Sequence, residues 1–283
     1  MTGFALRQKD GVCYLTFDSF SRAGLVTHAF STRRGGVSEG PYAGLNMSFR
    51  VGDRPENVLI NRLSICRALG AEPAGLVAAA QVHGDRVARV TAEHRGNGAA
   101  EAESALPATD ALITNEPGVL LSSYHADCVP VFLLDPVRKA IGVAHAGWKG
   151  TVLKIAARTV EAMQQSFGTR PRDCLAGIGP AIGPCCYEVD EPVYSRFQSA
   201  FADCWPALFT PAPGPSAAPG HWYLNLWEAN RRALLEAGLQ EENIAVANLC
   251  TSCRPDLFFS HRASGGKTGR MAALIGLNPG QLK

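Results

Sequence analysis

Apolar positions along this chain follow two periods. Strand-like apolar segments occur at 24–31 (GLVTHAFS), 76–82, 86–91, 110–114, 129–134, 140–147 (AIGVAHAG), 244–249 and 271–277. Between them lie stretches with helical spacing. Asp53-Arg54-Pro55-Glu56 reads as a capped helix start, with Asp53 as N-cap and Glu56 at the capping-box position. Leu59, Leu63 and Cys66 would supply its apolar face and Gly70 its end. A second helix is expected from Thr151 to Gly168, carried by Val152, Ile155, Ala156, Val160 and Met163. A third covers 225–237 and closes at Gly238. Residues 93–109 and 211–220 are rich in Ala, Pro, Gly and Ser and read as surface loops, because the strand pattern resumes after each. The pattern predicts one domain over residues 1–283, of mixed α/β (α+β) class with mixed β-sheets flanked by helices. It lacks the regular βαβ alternation of a Rossmann sheet.

Composition changes this picture little. The 283 residues suffice for a substantial core, and 46% apolar with 18% charged is ordinary for a globular chain. A net charge of +2 gives no pull towards nucleic acid or an anionic membrane. The start, MTGFALRQKDGVCYLTF, has no apolar stretch of signal-peptide length, and no run reaches transmembrane length. Nine irregularly spaced cysteines argue for reduced thiols over a disulfide framework, and a cytoplasmic location is expected.

Three short strings carry the chemistry. QVHG at 81–84, ADC at 126–128 and HAGW at 145–148 each follow a strand-like run, so His83, Cys128 and His145 could face one cleft. Two imidazoles and a thiolate form a three-ligand set for zinc, with the fourth position open. His145 precedes a Gly-rich strand-to-helix turn, and the helix start at Trp148–Thr151 offers free N–H groups to an anion. Singly, each residue has a plain structural alternative, such as a turn histidine or an inert buried thiol. Cys250-Thr251-Ser252-Cys253 is a CxxC with no second copy, and adjacent Cys185 and Cys186 offer poor geometry for completing a site, so plain thiols are expected. Arg33, Arg34, Arg262 and Arg270 lie in Gly-rich turns, as oxyanion-binding arginines often do.

FSTRRGGVSEGPYAGLN, VGD, QVHG, DALIT, ADCVPV, HAGWKGT, IGPAIGPCCYEV, CT, FFSHR and TGR, from about Phe30 to about Leu277, resemble the YfiH-like family. Its members have been labelled laccase-domain or multicopper polyphenol oxidase proteins, peptidoglycan editing factors and purine nucleoside phosphorylases. The resemblance implies a single α/β domain with helices outside mixed sheets, and zinc on His83, Cys128 and His145, with copper as a substitute ion. Three positions depart from the family pattern: Arg50 stands for His before VGD, His125 for Thr before ADC, and Lys149 for Arg after HAGW. Lys149 keeps the charge but loses the bidentate fork. On the resemblance, Arg50 and His125 would alter charge and proton traffic beside the metal.

Seven histidines are too few for a blue-copper centre plus a trinuclear cluster, which argues against polyphenol oxidase chemistry. The resemblance favours phosphorolysis of adenosine, inosine or methylthioadenosine, with adenosine deaminase activity at the same metal. The expected catalytic set is Cys128, His125, Asp127 and Arg262, with His125 or Asp127 nearest for protonating the leaving purine. The expected substrate and phosphate set is Arg33, Gly35, Gly36, Asn46 and Arg50, with Arg33 and the N–H groups of Gly35 and Gly36 forming a phosphate clamp. Partners would be small molecules, purine nucleoside and phosphate, rather than nucleic acid or membrane. Two alternatives are a cysteine hydrolase, with Cys128 as nucleophile, His145 as base and His83 as orienting group, and a zinc amidase editing peptidoglycan precursors. A non-catalytic partner of cell-wall or division proteins is a third.

Overall fold

Strands whose residues are apolar at nearly every position must be buried on both faces, and here they become the inner strands of two stacked sheets. The computed structural model describes residues 3–211 and 220–280. Its strands are β1 (Phe4–Lys9), β2 (Val12–Phe17), β3 (Val26–Ser31), β4 (Leu76–Ala78), β5 (Val87–Arg89), β6 (Ala111–Thr114), β7 (Leu120–His125) and β8 (Val129–Asp135). There follow β9 (Ala140–Ala146), β10 (Leu175–Ile178), β11 (Glu188–Asp190), β12 (Phe209–Pro211), β13 (His221–Leu224), β14 (Ile244–Val246) and β15 (Met271–Leu277). The helices are α1 (Asp18–Ala23), α2 (Pro55–Leu69), α3 (Trp148–Val152), α4 (Ile155–Phe167), α5 (Glu191–Ala200) and α6 (Leu226–Glu236).

One six-stranded sheet runs β1-β2-β3-β15-β7-β4, a second runs β14-β10-β8-β9-β6-β5, and β11-β13-β12 form a small third. The pairs β4/β7, β5/β6 and β10/β14 are parallel and the others antiparallel, so the sheets are mixed. Side-chain alternation divides the core into layers. Phe17, Phe30, Leu121 and Ile275 of the first sheet meet Phe132, Leu134, Ile141 and Val143 of the second. Outside the first sheet, Ala272 and Leu274 pack with Ile65 and Cys66 of α2. Outside the second, Val131, Leu133 and Ala144 pack with Ile155, Val160 and Met163 of α4. This is the mixed α/β single domain expected from the strand pattern.

Local details differ from the sequence reading. The first hairpin, β1–β2, turns at Asp10-Gly11 with both residues at positive φ, a turn signal the apolar pattern did not bring out. Asp53 does not cap α2: Arg54 is the N-cap and Pro55 the first residue, while Asp53 accepts hydrogen bonds from Ser38 and Asn46. Cys66 is buried as expected, but Leu63 is 51% exposed, and α2 also buries Val58, Asn61, Arg62 and Ile65. The helix expected from Thr151 is two helices, because Lys154 adopts a left-handed φ of 56°. Residues 93–109 carry a single 3-10 turn at Ala92–His94, and the expected 211–220 loop lies mostly outside the described residues. No helix among the described residues is long and apolar enough to cross a membrane.

His28 on β3 is buried against Phe17 and Phe20, and its Nε2 accepts the Phe17 N–H at 2.8 Å. Burial pushes its pKa down to about 4. The folded chain therefore stays neutral at His28 below pH 6.5, where the unfolded chain takes up a proton, so this contribution is complete above that pH and lost as pH falls towards 4. Chemical denaturation of wild type and His28→Gln at pH 7 and pH 4 should show the wild-type advantage shrinking by about 3 kcal/mol. An unchanged difference would mean that His28 is not held neutral.

Candidate metal centre and active site

One turn and two strands meet at one carboxylate. Asp110, 2% exposed at the head of β6, accepts N–H bonds from Val82 at 3.1 Å, His83 at 2.9 Å and Gly84 at 2.8 Å. Its Oδ1 also lies 2.9 Å from Nδ1 of His145 on β9, and its carbonyl accepts the His145 N–H at 2.8 Å. The carboxylate can only accept, so Nδ1 of His145 carries the proton and Nε2 is left free for the cleft. His83 takes a left-handed φ of 61°, a strained backbone that the Asp110 bonds fix.

Cys128 immediately precedes β8 and follows Asp127, which has φ 82°. Asp127 accepts from Thr251 Oγ1 at 2.6 Å and from the Arg262 N–H at 2.7 Å, so both oxygens are spent on holding turns. The donor atoms of His83, Cys128 and His145 all lie within 4.8 Å of one another. A Cβ at Gly147 would sit 3.0 Å from Cys128 Sγ and 2.8 Å from His83 Cδ2, so only glycine leaves this convergence room. Two imidazoles and a thiolate, one imidazole oriented by a carboxylate, fit the donor preferences of zinc.

The electrostatics agree with that fit. Burial alone would raise the Cys128 thiol, but His145 and His83 bring it down to about 6. Burial alone would lower His145, but Cys128 and Asp110 raise it to about 9. Burial likewise opposes ionisation of Asp110, yet its bonds from His145, Gly84 and Val82 hold the carboxyl below its ordinary value. The chain thus holds a thiolate ready for a cation.

Two adjoining clefts of about 340 Å³ each share His83, Ala126, Cys128 and His261 in their linings. The first contains Arg50, Arg62, Arg270, Gln81, Tyr124 and His261, and among the described residues no acidic side chain lines it. The second is lined by Trp148, Tyr187, Ile182 and Leu226, with Asp127, Lys149 and Arg262 at its polar side. His261 borders both.

The other residues singled out from the sequence are dispersed. His125 is 1% exposed, with its nitrogens facing Ser123 Oγ at 2.8 Å and the Cys128 carbonyl at 3.2 Å. Burial, then the neighbouring His145, holds it well below its ordinary pKa, so it is a neutral strut behind the centre rather than an accessible acid. Arg33, Gly35 and Gly36 line neither cleft. Arg33 donates to the carbonyls of Pro255 and Ala43 and stacks on Phe259, contacts that tie loops together. Asn46, fully buried, binds Ser48, Asp53 and the Arg270 N–H, and so positions the arginine turn without reaching the cleft. Arg50 does line the first cleft, and Arg262 reaches the second, where it lies over Tyr187 and donates to the Glu188 carbonyl.

Sequence reasoning passed over Asp110, Arg62 and His261. Asp110 had a signal, the aspartate at the head of DALIT, and His261 stands in FFSHR. Arg62 had none: inside a helix it looks solvent-facing. It is 4% exposed, held between Phe49 and Tyr124 at 4.3 and 4.7 Å, and donates to the carbonyls of Met47, Gly98 and Ala99.

Comparison with known proteins extends over nearly the whole chain. Residues 27–278 match the family described as multi-copper polyphenol oxidoreductase laccase. A Geobacillus stearothermophilus protein named purine nucleoside phosphorylase YlmD is 43% identical over 254 residues, 90% of each chain. A protein named adenosine deaminase RL5, from an unknown prokaryotic organism, is 35% identical over 252 residues, 89% of this chain and 94% of that one. The crystal structure of the Bacillus licheniformis hypothetical protein YfiH has a TM-score of 0.89 at 40% identity, covering 96% of this chain and 99% of that one.

Two measurements check the centre. In metal-stripped protein, alkylation of Cys128 by iodoacetamide should rise through pH about 6, and Asp110→Asn should move that midpoint upward. The same substitution should weaken zinc binding about 10–100-fold, as loss of a ligand's carboxylate partner does. Unchanged affinity would remove Asp110 from its orienting role.

Proposed function

We propose, from the premise that this chain belongs to the family described as multi-copper polyphenol oxidoreductase laccase, the YfiH-like proteins, that it is a zinc-dependent purine nucleoside phosphorylase. Relatives named purine nucleoside phosphorylase support the class of reaction. The observation that carries the reading is that His83 and Cys128 line both an arginine-bearing cleft, which His145 also lines, and an aromatic one. Volumes of about 340 Å³ on either side suit a purine nucleoside and its co-substrate.

Arg50 and Arg270 hold phosphate in the first cleft, where among the described residues no carboxylate competes for it. The buried charge of Arg62, paired only with carbonyls among its hydrogen bonds, adds to the same field. Trp148 and Tyr187 flank the purine in the second cleft. A phosphate oxygen bonds to C1′ of the ribose as the C1′–N9 bond breaks, and the bonding pair leaves with the purine. His261, bordering both clefts, delivers a proton to the departing base. This gives His261 the role the sequence assigned to His125 or Asp127, whose polar atoms are engaged elsewhere. When bound on His83, Cys128 and His145, zinc supplies Lewis acidity beside the reacting purine. Copper would be a substitute ion there: among the described residues, the possible metal-ligand groups include only these two histidines.

Adenosine deamination is a second activity of the same centre, supported by the relative of that name; water adds at C6 and ammonia departs. A different reading, amide hydrolysis by Cys128, draws on the Asp110–His145–Cys128 array. In it Asp110, rather than His83, orients the base. Zinc that protects Cys128 from alkylation would rule that reading out.

Incubating zinc-loaded protein with adenosine, inosine or methylthioadenosine should release free base and ribose 1-phosphate (or its 5-methylthio counterpart) only with phosphate. Base release that ignores phosphate would overturn the assignment. Arg50→Ala and Arg270→Ala should each raise the KM for phosphate about 10–100-fold, while Arg33→Ala leaves it unchanged. His261→Ala should lower kcat by about 10²–10⁴-fold.

A further inference from the structure

Four cysteines outside the clefts converge on one point. Cys185 and Cys186 lie in the turn between β10 and β11, and Cys250 and Cys253 in the turn after β14. The parallel pairing of β10 with β14 continues as a bridge from Ala181 to Cys250, which lays the two turns side by side. The Sγ atoms of all four lie within 4.8 Å of one another. The sequence reading treated them as plain thiols, because adjacent cysteines look unsuited to one centre. The turn at Gly183 overcomes this: it donates its N–H to Cys250 Sγ at 3.2 Å and accepts the N–H groups of Cys186 and Tyr187, folding both sulfurs towards Cys253. A Cβ at Gly183 would lie 2.6 Å from the Trp227 ring, so the turn can pass there only as glycine.

We propose that Cys185, Cys186, Cys250 and Cys253 hold a single tetrahedral zinc ion, a second metal site separate from His83, Cys128 and His145. Zinc–sulfur bonds of about 2.3 Å place tetrahedral sulfurs roughly 3.8 Å apart, and the sulfurs here already approach that arrangement. Cys253 Sγ stands 3.5 Å from Cys185 Sγ and 3.4 Å from Cys186 Sγ. A disulfide would single out one of these partners, at about 2.05 Å; near-equal separations suit a shared central ion. The Cys250 sulfur also accepts the Cys253 N–H, so two backbone donors are aimed at it, as for a thiolate ligand. An iron–sulfur cluster divides its thiolates among several irons and needs them further apart. Binding releases the thiol protons to solvent, and the four sulfurs leave no open position, so the site is structural.

Its position gives it a task. Thr251, inside the Cys-Thr-Ser-Cys turn, donates to Asp127 at 2.6 Å, and the Ile182 N–H donates to the Asp127 carbonyl at 3.0 Å. A zinc ion joining these turns would anchor the residue that precedes Cys128. The proposal does not depend on the nucleoside reading.

The test is metal analysis of the full chain after zinc loading and gel filtration. Wild type should carry two zinc ions, His83→Ala one, and Cys185→Ser/Cys253→Ser one. Cobalt titration of the folded His83→Ala variant should give an intense sulfur-to-cobalt charge-transfer band that is absent when the two serines are added. This readout does not require the serine double variant to match wild-type stability. A single zinc in wild type that is lost in His83→Ala would overturn the proposal. So would disulfides among the four cysteines that persist in the zinc-loaded chain.

Discussion

The buried carboxylate of Asp110 is the constraint on which the site depends. It ties the Val82–Gly84 turn, the head of β6 and His145 of β9 at one point, using three backbone N–H groups and one imidazole. Burying a charge is unfavourable unless its hydrogen-bonding capacity is filled. Here it is filled by groups that must then sit where the metal ligands are needed. Removing one partner of such a buried pair costs about 3–5 kcal/mol, so geometry and stability are bound together.

Asp127 performs a parallel task on the far side. Its carboxylate draws Thr251 and Arg262 onto the turn that presents Cys128. Both His83 and Asp127 occupy left-handed backbone, a conformation costing of order 1–3 kcal/mol that persists where surrounding bonds over-determine it. The ligands are therefore preorganised by strained turns clamped to rigid sheets. The uniform apolar strands behind them supply that rigidity.

The clefts follow from the same layering. Arg62 is carried into the first cleft by α2, a helix whose buried side includes Asn61 and Arg62 as well as apolar residues. Asn61 donates to Ser38 and to the Asn46 carbonyl, which fixes the loop bearing Arg50, while Asn46 receives the Arg270 N–H. A polar network in the outer layer thus sets the arginine positions. This is why the expected apolar stripe of Leu59, Leu63 and Cys66 held at Cys66 but failed at exposed Leu63: period finds apolar faces, and this face is partly polar because it holds loops.

By itself the sequence determined the elements whose apolar period is unambiguous, including β8, β9, β15, α4 and α6, and with them a mixed α/β domain. It also marked His83, Cys128 and His145 as candidates, because three potential metal donors stood in short motifs beside strand-like runs. It could not place Arg33 against Arg50, since both are arginines in turns, both donate to carbonyls, and only long-range contacts decide which guanidinium lines the cleft. Nor could it show that Cys185 and Cys186 meet Cys250 and Cys253, about 65 residues away. Local pattern records which residues want burial or can bind a metal. Which of them share a point in space is decided by strand order, by the β10–β14 pairing and by two buried carboxylates.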